Sequence, residues 1–304
     1  MEYSHFSHLD IKLSKLGFGG AALSGVGGGY GFGEIGEKAA EKLINMAIDV
    51  GINVFDTAPI YGFNLSEIRM GNYLKSHRDN IHLISKAGIT WHSSKRVNLS
   101  NEPKVIEQML HDSLRNLQTD YIDTYMIHWP DPRVDIRYSL EVLKKAQDQG
   151  KIRFIGLCNT NQEDLDKAKE VCKVHFLQSE CNLFHNAFHD LKITDEIIMG
   201  WGTLDKGILA GTVTLDSKFS DEDARSWAPW WKKSHWKDKV KKIDGLKRNF
   251  KYDVFDLALK YSMQNTNISL CGFKNSLQLE RLLKVSEKEI SNSVLDEVVK
   301  YVRS

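Results

Sequence analysis

Asp56, Tyr61, Lys86 and His128 stand at or just beyond the ends of three successive short apolar runs, residues 53–58, 82–87 and 123–129. Ending a buried strand on an ionisable group is costly unless that group is paired or used. Taken singly, such an Asp caps a helix or turn, such a Tyr or His packs in a core, and such a Lys is solvated. Four of them sharing one rim instead describe a proton-transfer site, and therefore an enzyme whose chemistry sits at one end of its strands.

The elements that must position them can be read from the apolar pattern. After a short N-terminal hairpin come eight runs of strand length bounded by turn residues: 15–19, 53–57, 81–86, 123–128, 153–158, 175–180, 196–201 and 267–272. Most are continuous rather than alternating, which suits parallel strands covered on both faces. Helical patterns lie between them at 37–50, 65–76, 103–117, 139–149, 162–173, 254–264 and 276–284, and 294–302 adds a closing helix. Pro103 falls early in one helix, and Gly51 and Gly150 follow the ends of two others. Eight alternations in 304 residues predict an α/β fold, a (β/α)8 TIM barrel with an N-terminal β-hairpin and an extra C-terminal helix, as one domain over 1–304. In that fold the active site lies at the C-terminal ends of the strands, where the four residues stand.

Two stretches depart from the alternation. Residues 181–195 leave room for only a turn or two of helix. Residues 211–253 hold no strand and carry Arg225, Trp227, Trp230, Trp231 and Trp236 among lysines, a pattern that suits a lid over the barrel mouth better than a single-stranded nucleic-acid site. The glycine-rich stretch 25–33 follows a strand but does not fit the GxGxxG pattern leading into a helix, so it reads as a first βα loop and not as a Rossmann fingerprint.

With 41 Lys+Arg against 40 Asp+Glu, the chain has no charge excess with which to hold nucleic acid or an anionic membrane. No apolar stretch approaches the ~20 residues of a membrane span, and residues 1–14 lack an apolar core followed by a small-residue cleavage site. A cytoplasmic protein acting on a small molecule is expected, as a monomer or weak homo-oligomer. Cys158, Cys172, Cys181 and Cys271 show no CxxC pairing and no His or Cys at ligand spacing, which predicts reduced thiols and no metal.

Five ordered motifs resemble the aldo-keto reductase superfamily across nearly the whole chain. They are Phe55-Asp56-Thr57-Ala58-Pro59-Ile60-Tyr61-Gly62 followed by Ser66-Glu67; Ser85-Lys86-Ala87-Gly88; and Ser113-Leu114-Arg115-Asn116-Leu117 with Asp120-Tyr121-Ile122-Asp123 and Met126-Ile127-His128-Trp129-Pro130. On the cofactor side they are Gly150-Lys151-Ile152-Arg153 with Ile155-Gly156-Leu157-Cys158-Asn159, and Gln178-Ser179-Glu180-Cys181-Asn182.

The resemblance implies reversible carbonyl reduction with a nicotinamide cofactor and Asp56, Tyr61, Lys86 and His128 as a catalytic tetrad. The residue types agree with that assignment. Tyrosine has an ordinary pKa of about 10, so protonating an alkoxide near neutral pH calls for a cation that stabilises the phenolate, and Lys86 can be that cation. Asp56 would hold Lys86 charged and oriented, and His128 would donate to the carbonyl oxygen as negative charge develops there.

By the same resemblance Asn159 and Gln178 grip the nicotinamide carboxamide, Trp201 stacks on its ring, and Cys158 replaces a usual Ser, weakening that contact. Gly207 and Leu209 on one side, and Gly272, Phe273, Lys274, Asn275, Gln278 and Arg281 on the other, fall where the phosphates are bound. Lys274 could meet a 2′-phosphate while Leu282 stands where the family often has Asn, so NADP is favoured over NAD, with NAD still open. Pocket walls are expected from Tyr30 or Phe32, Trp91, Trp129, the 130–137 loop and the tryptophan-rich stretch, around an aldehyde, ketone or sugar. Two other classes compete: a cofactor-binding regulator with little turnover, as in relatives such as potassium-channel β subunits, and a metal-dependent barrel hydrolase, which the absence of an HxH set disfavours.

Overall fold

A computed structural model describes residues 1–26, 31 and 33–304. An antiparallel hairpin of β1 (Tyr3–Phe6) and β2 (Ile11–Ser14) leads into β3 (Leu16–Gly19), β4 (Val54–Asp56) and β5 (His82–Ala87). A second antiparallel hairpin, β6 (Ile89–Trp91) and β7 (Val97–Leu99), precedes β8 (Ile122–Ile127), β9 (Ile152–Cys158), β10 (Phe176–Glu180), β11 (Ile197–Trp201) and β12 (Ile268–Cys271). Strands β3, β4, β5 and β8 to β12 pair in parallel and close into a barrel, with β12 meeting β3 at the seam. The helices are α1 (Glu37–Asp49), α2 (Leu65–Leu74), α3 (Pro103–Asn116), α4 (Ile136–Asp148), α5 (Gln162–Val171), α6 (Ala224–Trp227), α7 (Pro229–Lys232), α8 (Trp236–Asn249), α9 (Val254–Asn265), α10 (Ser276–Ser286) and α11 (Asn292–Arg303). This is the (β/α)8 barrel with the N-terminal hairpin and closing helix that the alternation predicts. No helix of the described residues is long and apolar enough to cross a membrane.

Strand alternation divides the core in two. Val54, Ile84, Met126, Phe154, Phe176, Ile197, Met199, Ile268 and Leu270 point inward and fill the barrel, and Ile11 and Leu13 of β2 join them to plug its floor. The intervening residues, among them Phe55, Leu83, Ile127, Leu157 and Leu177, face outward onto helix residues such as Ile44, Met70, Leu110, Leu140 and Leu165. Both faces of each strand are thus apolar, which is why the runs are continuous. The helices obey the same logic: α1 buries Ala40, Leu43, Ile44 and Ala47, one stripe at helical spacing.

The structure corrects three readings of the connections. Between β10 and β11 there is no helix at all. Asn182 Oδ1 accepts from the amides of Phe184 (2.9 Å) and His185 (3.1 Å), and Asn186 Oδ1 accepts from Phe188 (3.0 Å), so side-chain turns take the donors a helix would use. Arg303 of α11 then donates to the carbonyl of Leu183 at 3.0 Å. Residues 211–253 fold into α6, α7 and α8 around Trp231, which is buried and stacked on Trp236 at 5.6 Å. Helix α8 lies against α9 and α11, while Arg225, Trp230 and Lys239 reach the loop after β11. Third, the β6–β7 hairpin adds a projection beside β5 that the apolar runs do not announce.

Candidate active site

Three residues of the expected tetrad, Asp56, Lys86 and His128, form the top layer of the barrel interior with Gln178 and Trp201. Asp56, Lys86, His128, Gln178 and Trp201 each lie two residues beyond an inward apolar residue, namely Val54, Ile84, Met126, Phe176 and Met199. A two-residue step returns a strand to the same face, so the pattern that fills the barrel also aims these groups at its mouth.

Lys86 is fully buried and donates to Asp56 Oδ1 at 2.6 Å and to the Thr57 carbonyl at 2.8 Å. Gln178 Nε2 donates to the same Asp56 oxygen at 2.8 Å. Behind Lys86, buried Glu67 accepts from Ser85 Oγ at 2.6 Å and from Asn116 Nδ2 at 3.0 Å. Burial raises the Glu67 pKa, and these hydrogen bonds and the Lys86 charge oppose that rise.

Tyr61 follows a turn after β4, where its amide donates to the Ala58 carbonyl at 3.0 Å. The next three residues, Gly62, Phe63 and Asn64, all have positive φ (67°, 53° and 77°). For Phe63 that conformation is strained, a feature that concentrates at functional sites, and a Cβ on Gly62 would run into the Ser24 carbonyl. The Tyr61 ring meets the His128 ring edge-on at 5.9 Å, with Lys86 Nζ 5.4 Å from its centre. Among the described residues the Tyr61 hydroxyl has no hydrogen-bond partner, which leaves it free for a ligand.

Lys86 directs its bonds to Asp56 and Thr57, and the Tyr61 pKa is raised well above 10 by burial first, then by the charges of Asp56 and Cys158. Tyr61 is therefore a protonated phenol, suited to giving a proton and poorly suited to resting as phenolate. Burial, and then the Lys86 charge, hold the His128 pKa well below 6.5, so its ring is neutral and can donate one N–H.

The two amides are brought together. Asn159, at positive φ (54°), donates from Nδ2 to the His128 carbonyl at 3.0 Å and to Cys158 Sγ at 3.1 Å, while its Oδ1 accepts from Trp201 Nε1 at 3.1 Å. Cys158 donates to Gln178 Oε1 at 3.6 Å, and burial pushes its thiol up to about 12. Lys206, which sequence reasoning missed, lies 5.7 Å from the Trp201 ring and 5.8 Å from Trp230, and pairs with Glu180 and Asp205, each at 3.2 Å.

On the phosphate side, Gly272 passes so close to the first loop that a Cβ would stand 3.2 Å from Ala22 Cβ, and Gly207 has φ 98°. Phe273 and Leu209 turn their side chains into the core, so it is their backbones that stand where a phosphate is expected. Gln278 is spent on the helix start, its Oε1 accepting from the Lys274 amide at 2.7 Å while Asn275 Oδ1 caps α10. Arg281 pairs with Asp253 at 2.8 Å and lies over Phe255. Burial lowers the Lys274 pKa, Asp223 opposes that, and Arg225 adds to it, so two cations face one another there. Arg225, from the tryptophan-rich stretch, also donates to the Lys206 carbonyl at 2.9 Å.

Of the expected walls, Trp91 packs on Phe63 at 5.3 Å within an apolar cluster that includes Tyr61, and Trp129 is 43% exposed beyond β8. Tyr30 and Phe32 lie outside the described residues.

Comparison with known proteins bears on this geometry. The sequence profile described as the Aldo/keto reductase family matches residues 15–303. Aldo-keto reductase YhdN of Bacillus subtilis is 33% identical over 302 residues, spanning 94% of this chain and 89% of the relative. The NADH-specific methylglyoxal reductase of Escherichia coli is 28% identical, spanning 85% of each chain. A solved glycerol dehydrogenase from Gluconobacter oxydans superposes with a TM-score of 0.83 at 26% identity, covering 99% of this chain and 96% of that one.

Proposed function

The chain belongs to the aldo/keto reductase family, oxidoreductases that act on carbonyl compounds with a nicotinamide cofactor, and on that premise we propose that it interconverts an aldehyde, ketone or sugar and the matching alcohol with Tyr61 as general acid. The observation that carries the reading is the Tyr61 hydroxyl, a half-buried phenol without a hydrogen-bond partner among the described residues, beside Lys86 and His128 at the barrel mouth.

The residues present suit a nicotinamide dinucleotide. Asn159 and Gln178 offer amide donors and acceptors for a carboxamide, and Trp201, anchored to Asn159, offers a ring for stacking. The backbones at Gly207, Leu209 and Gly272 to Asn275, with cations Lys274 and Arg225 drawn together, suit phosphates. We favour NADP because Lys274 can answer a 2′-phosphate, while a relative named an NADH-specific reductase keeps NAD open.

When bound, the cofactor supplies a hydride to the carbonyl carbon. The chain's own residues handle the other half of the reaction. His128 donates its N–H to the carbonyl oxygen, and that oxygen takes the Tyr61 proton as it becomes an alcohol. Lys86, ion-paired with Asp56 at 2.6 Å and 5.4 Å from the centre of the Tyr61 ring, is the cation beside the phenolate that remains until a proton from solvent restores it. Trp91 and Trp129 wall the substrate side.

Fluorescence quenching by NADPH and NADH settles cofactor choice, and a panel of aldehydes, ketones and sugars then reads turnover. Tyr61→Phe is expected to abolish turnover while leaving quenching unchanged. Undiminished turnover in that variant removes Tyr61 from the reaction; tight cofactor binding without turnover of any carbonyl favours a regulatory protein.

A further inference from the structure

The β6–β7 hairpin carries a use that the barrel chemistry does not require. Its base belongs to the catalytic end: β6 begins two residues after Ala87, and Trp91, Val97 and Leu99 pack in one apolar cluster with Ala58, Ile60, Tyr61 and Phe63. Its tip, residues 92–96, reads His-Ser-Ser-Lys-Arg and is closed by the Lys95 amide donating to the His92 carbonyl at 2.7 Å and the His92 amide donating to the Arg96 carbonyl at 2.9 Å.

At the tip Lys95 has φ 64°, a left-handed backbone that Gly or Asn adopts more cheaply. A lysine kept in that conformation points from strain toward use. It carries Nζ back over the ring of Phe63, 5.7 Å from its centre, and Phe63 is two residues from Tyr61. Among the described residues neither Lys95 nor Arg96 has a carboxylate within ion-pair distance, whereas Arg133, the neighbouring cation that ties down Leu99, is spent on Asp131 at 2.7 Å. Two exposed, uncompensated cations therefore stand at the lip of an aromatic pocket on a hairpin with fixed register.

We propose that the tip of this hairpin receives an anionic group of the substrate, so that the carbonyl compound reduced at Tyr61 carries a carboxylate or phosphate set back from its reacting carbon. The proposal rests on the carbonyl-reducing reading for the reaction, but not for the binding. Aryl or alkyl atoms of such a substrate lie against Trp91 and Phe63, and the charge lies where Lys95 and Arg96 reach it. The hydroxyls of Ser93 and Ser94, already gathered around His92 Nδ1 at 3.3 and 3.1 Å, line the same turn.

The test compares 4-formylbenzoate with its neutral methyl ester, and glyceraldehyde 3-phosphate with glyceraldehyde, in the wild type and in a Lys95→Gly, Arg96→Gln double variant. Glycine fits the left-handed position, so the variant keeps the hairpin. The wild type is expected to favour the charged member of a pair in kcat/KM by roughly fivefold to tenfold at low salt, through KM, and to lose the preference as ionic strength rises. The variant loses it at any salt, with kcat for the neutral partner unchanged. Whichever pair shows the effect identifies the anion as carboxylate or phosphate. Binding of the same compounds to the protein loaded with oxidised cofactor, followed by tryptophan fluorescence, gives a readout without turnover. Equal binding of charged and neutral partners, or a preference that survives in the variant, overturns the proposal. A charge-dependent binding preference without reduction of any carbonyl sustains the anion site and overturns the reaction instead.

Discussion

Gln178 donates from Nε2 to the very oxygen of Asp56 that Lys86 holds, at 2.8 Å against 2.6 Å for the lysine. One carboxylate thus joins the amide side of the site to the proton-donor side. Lys86 has no exposure to water, and a buried cation stripped of its partner costs about 3–5 kcal/mol. Asp56→Asn is expected to lower unfolding free energy by that amount and to cut kcat at least a hundredfold, whereas Gln178→Leu, which spares the ion pair, costs about 1–2 kcal/mol. Denaturant unfolding of both variants checks the ordering; equal stabilities would mean that Asp56 does not keep Lys86 in place. Gln178→Leu should also weaken quenching by the cofactor.

The acidity of the site predicts its pH behaviour. His128 is held neutral well below pH 6.5, and Tyr61 keeps its proton to well above pH 10. Reduction, which needs the Tyr61 proton, should run at constant kcat/KM from about pH 6.5 to about pH 9. Alcohol oxidation needs the phenolate, so its rate should climb with pH through the same range without a plateau. A bell centred near neutrality in the reductive direction would show that some other group supplies the proton.

Asp205 accepts from Lys239 at 2.6 Å and pairs with Lys206 at 3.2 Å, fastening α8 to the loop after β11. Its carboxylate is wholly buried. Asp205→Asn leaves Lys239 without its charge partner and Lys206 with Glu180 alone, and residues 236–249 should exchange amide hydrogens at least several-fold faster while the barrel strands keep wild-type protection. Hydrogen exchange by mass spectrometry resolves the two regions. Uniform acceleration would place Asp205 in the barrel's own stability.

Much of this arrangement is legible in the sequence because one device builds it. Inward apolar residues such as Val54 and Ile84 are followed at a two-residue step by Asp56 and Lys86, so the apolar run locates the strand and its polar end locates the site. Side-chain direction is harder to read: Phe273 and Leu209 sit in phosphate-side motifs but face the core, because a backbone contact and a side-chain contact look alike in sequence. The β6–β7 hairpin hides because Ile89 to Trp91 and Val97 to Leu99 alternate over only three residues each, too briefly for a period to declare itself. The missing helix after β10 turns on Asn182 and Asn186, whose side chains compete for backbone donors in a way no apolar pattern records. Lys206 and Arg225 reach the site from a segment without strands, and only the fold brings them near Trp201 and Lys274.

The barrel floor gives the last prediction. His82 lies inside the barrel, 5.2 Å from the Phe176 ring and stacked at 5.9 Å on Phe154, with Nε2 against Thr124 Oγ1 at 2.8 Å. Burial lowers its pKa to about 4, with the Asp123 charge opposing and Arg153 and Arg78 assisting. In the unfolded chain a histidine titrates at about 6.5, so as pH falls from 6.5 the unfolded state binds a proton that the folded state refuses. The stability contributed by neutral His82 is thus complete above pH 6.5 and is lost between pH 6.5 and 4, by about 3 kcal/mol if the whole window counts. Below pH 4 both states carry the proton and the loss stops growing. His82→Gln keeps a partner for Thr124 but does not titrate, so it should be less stable than wild type at pH 7.5, where the aromatic contacts are lost, and should close that gap by pH 4.5. Denaturant unfolding at both values measures the crossing, and parallel losses in the two proteins would assign the acid sensitivity to groups other than His82.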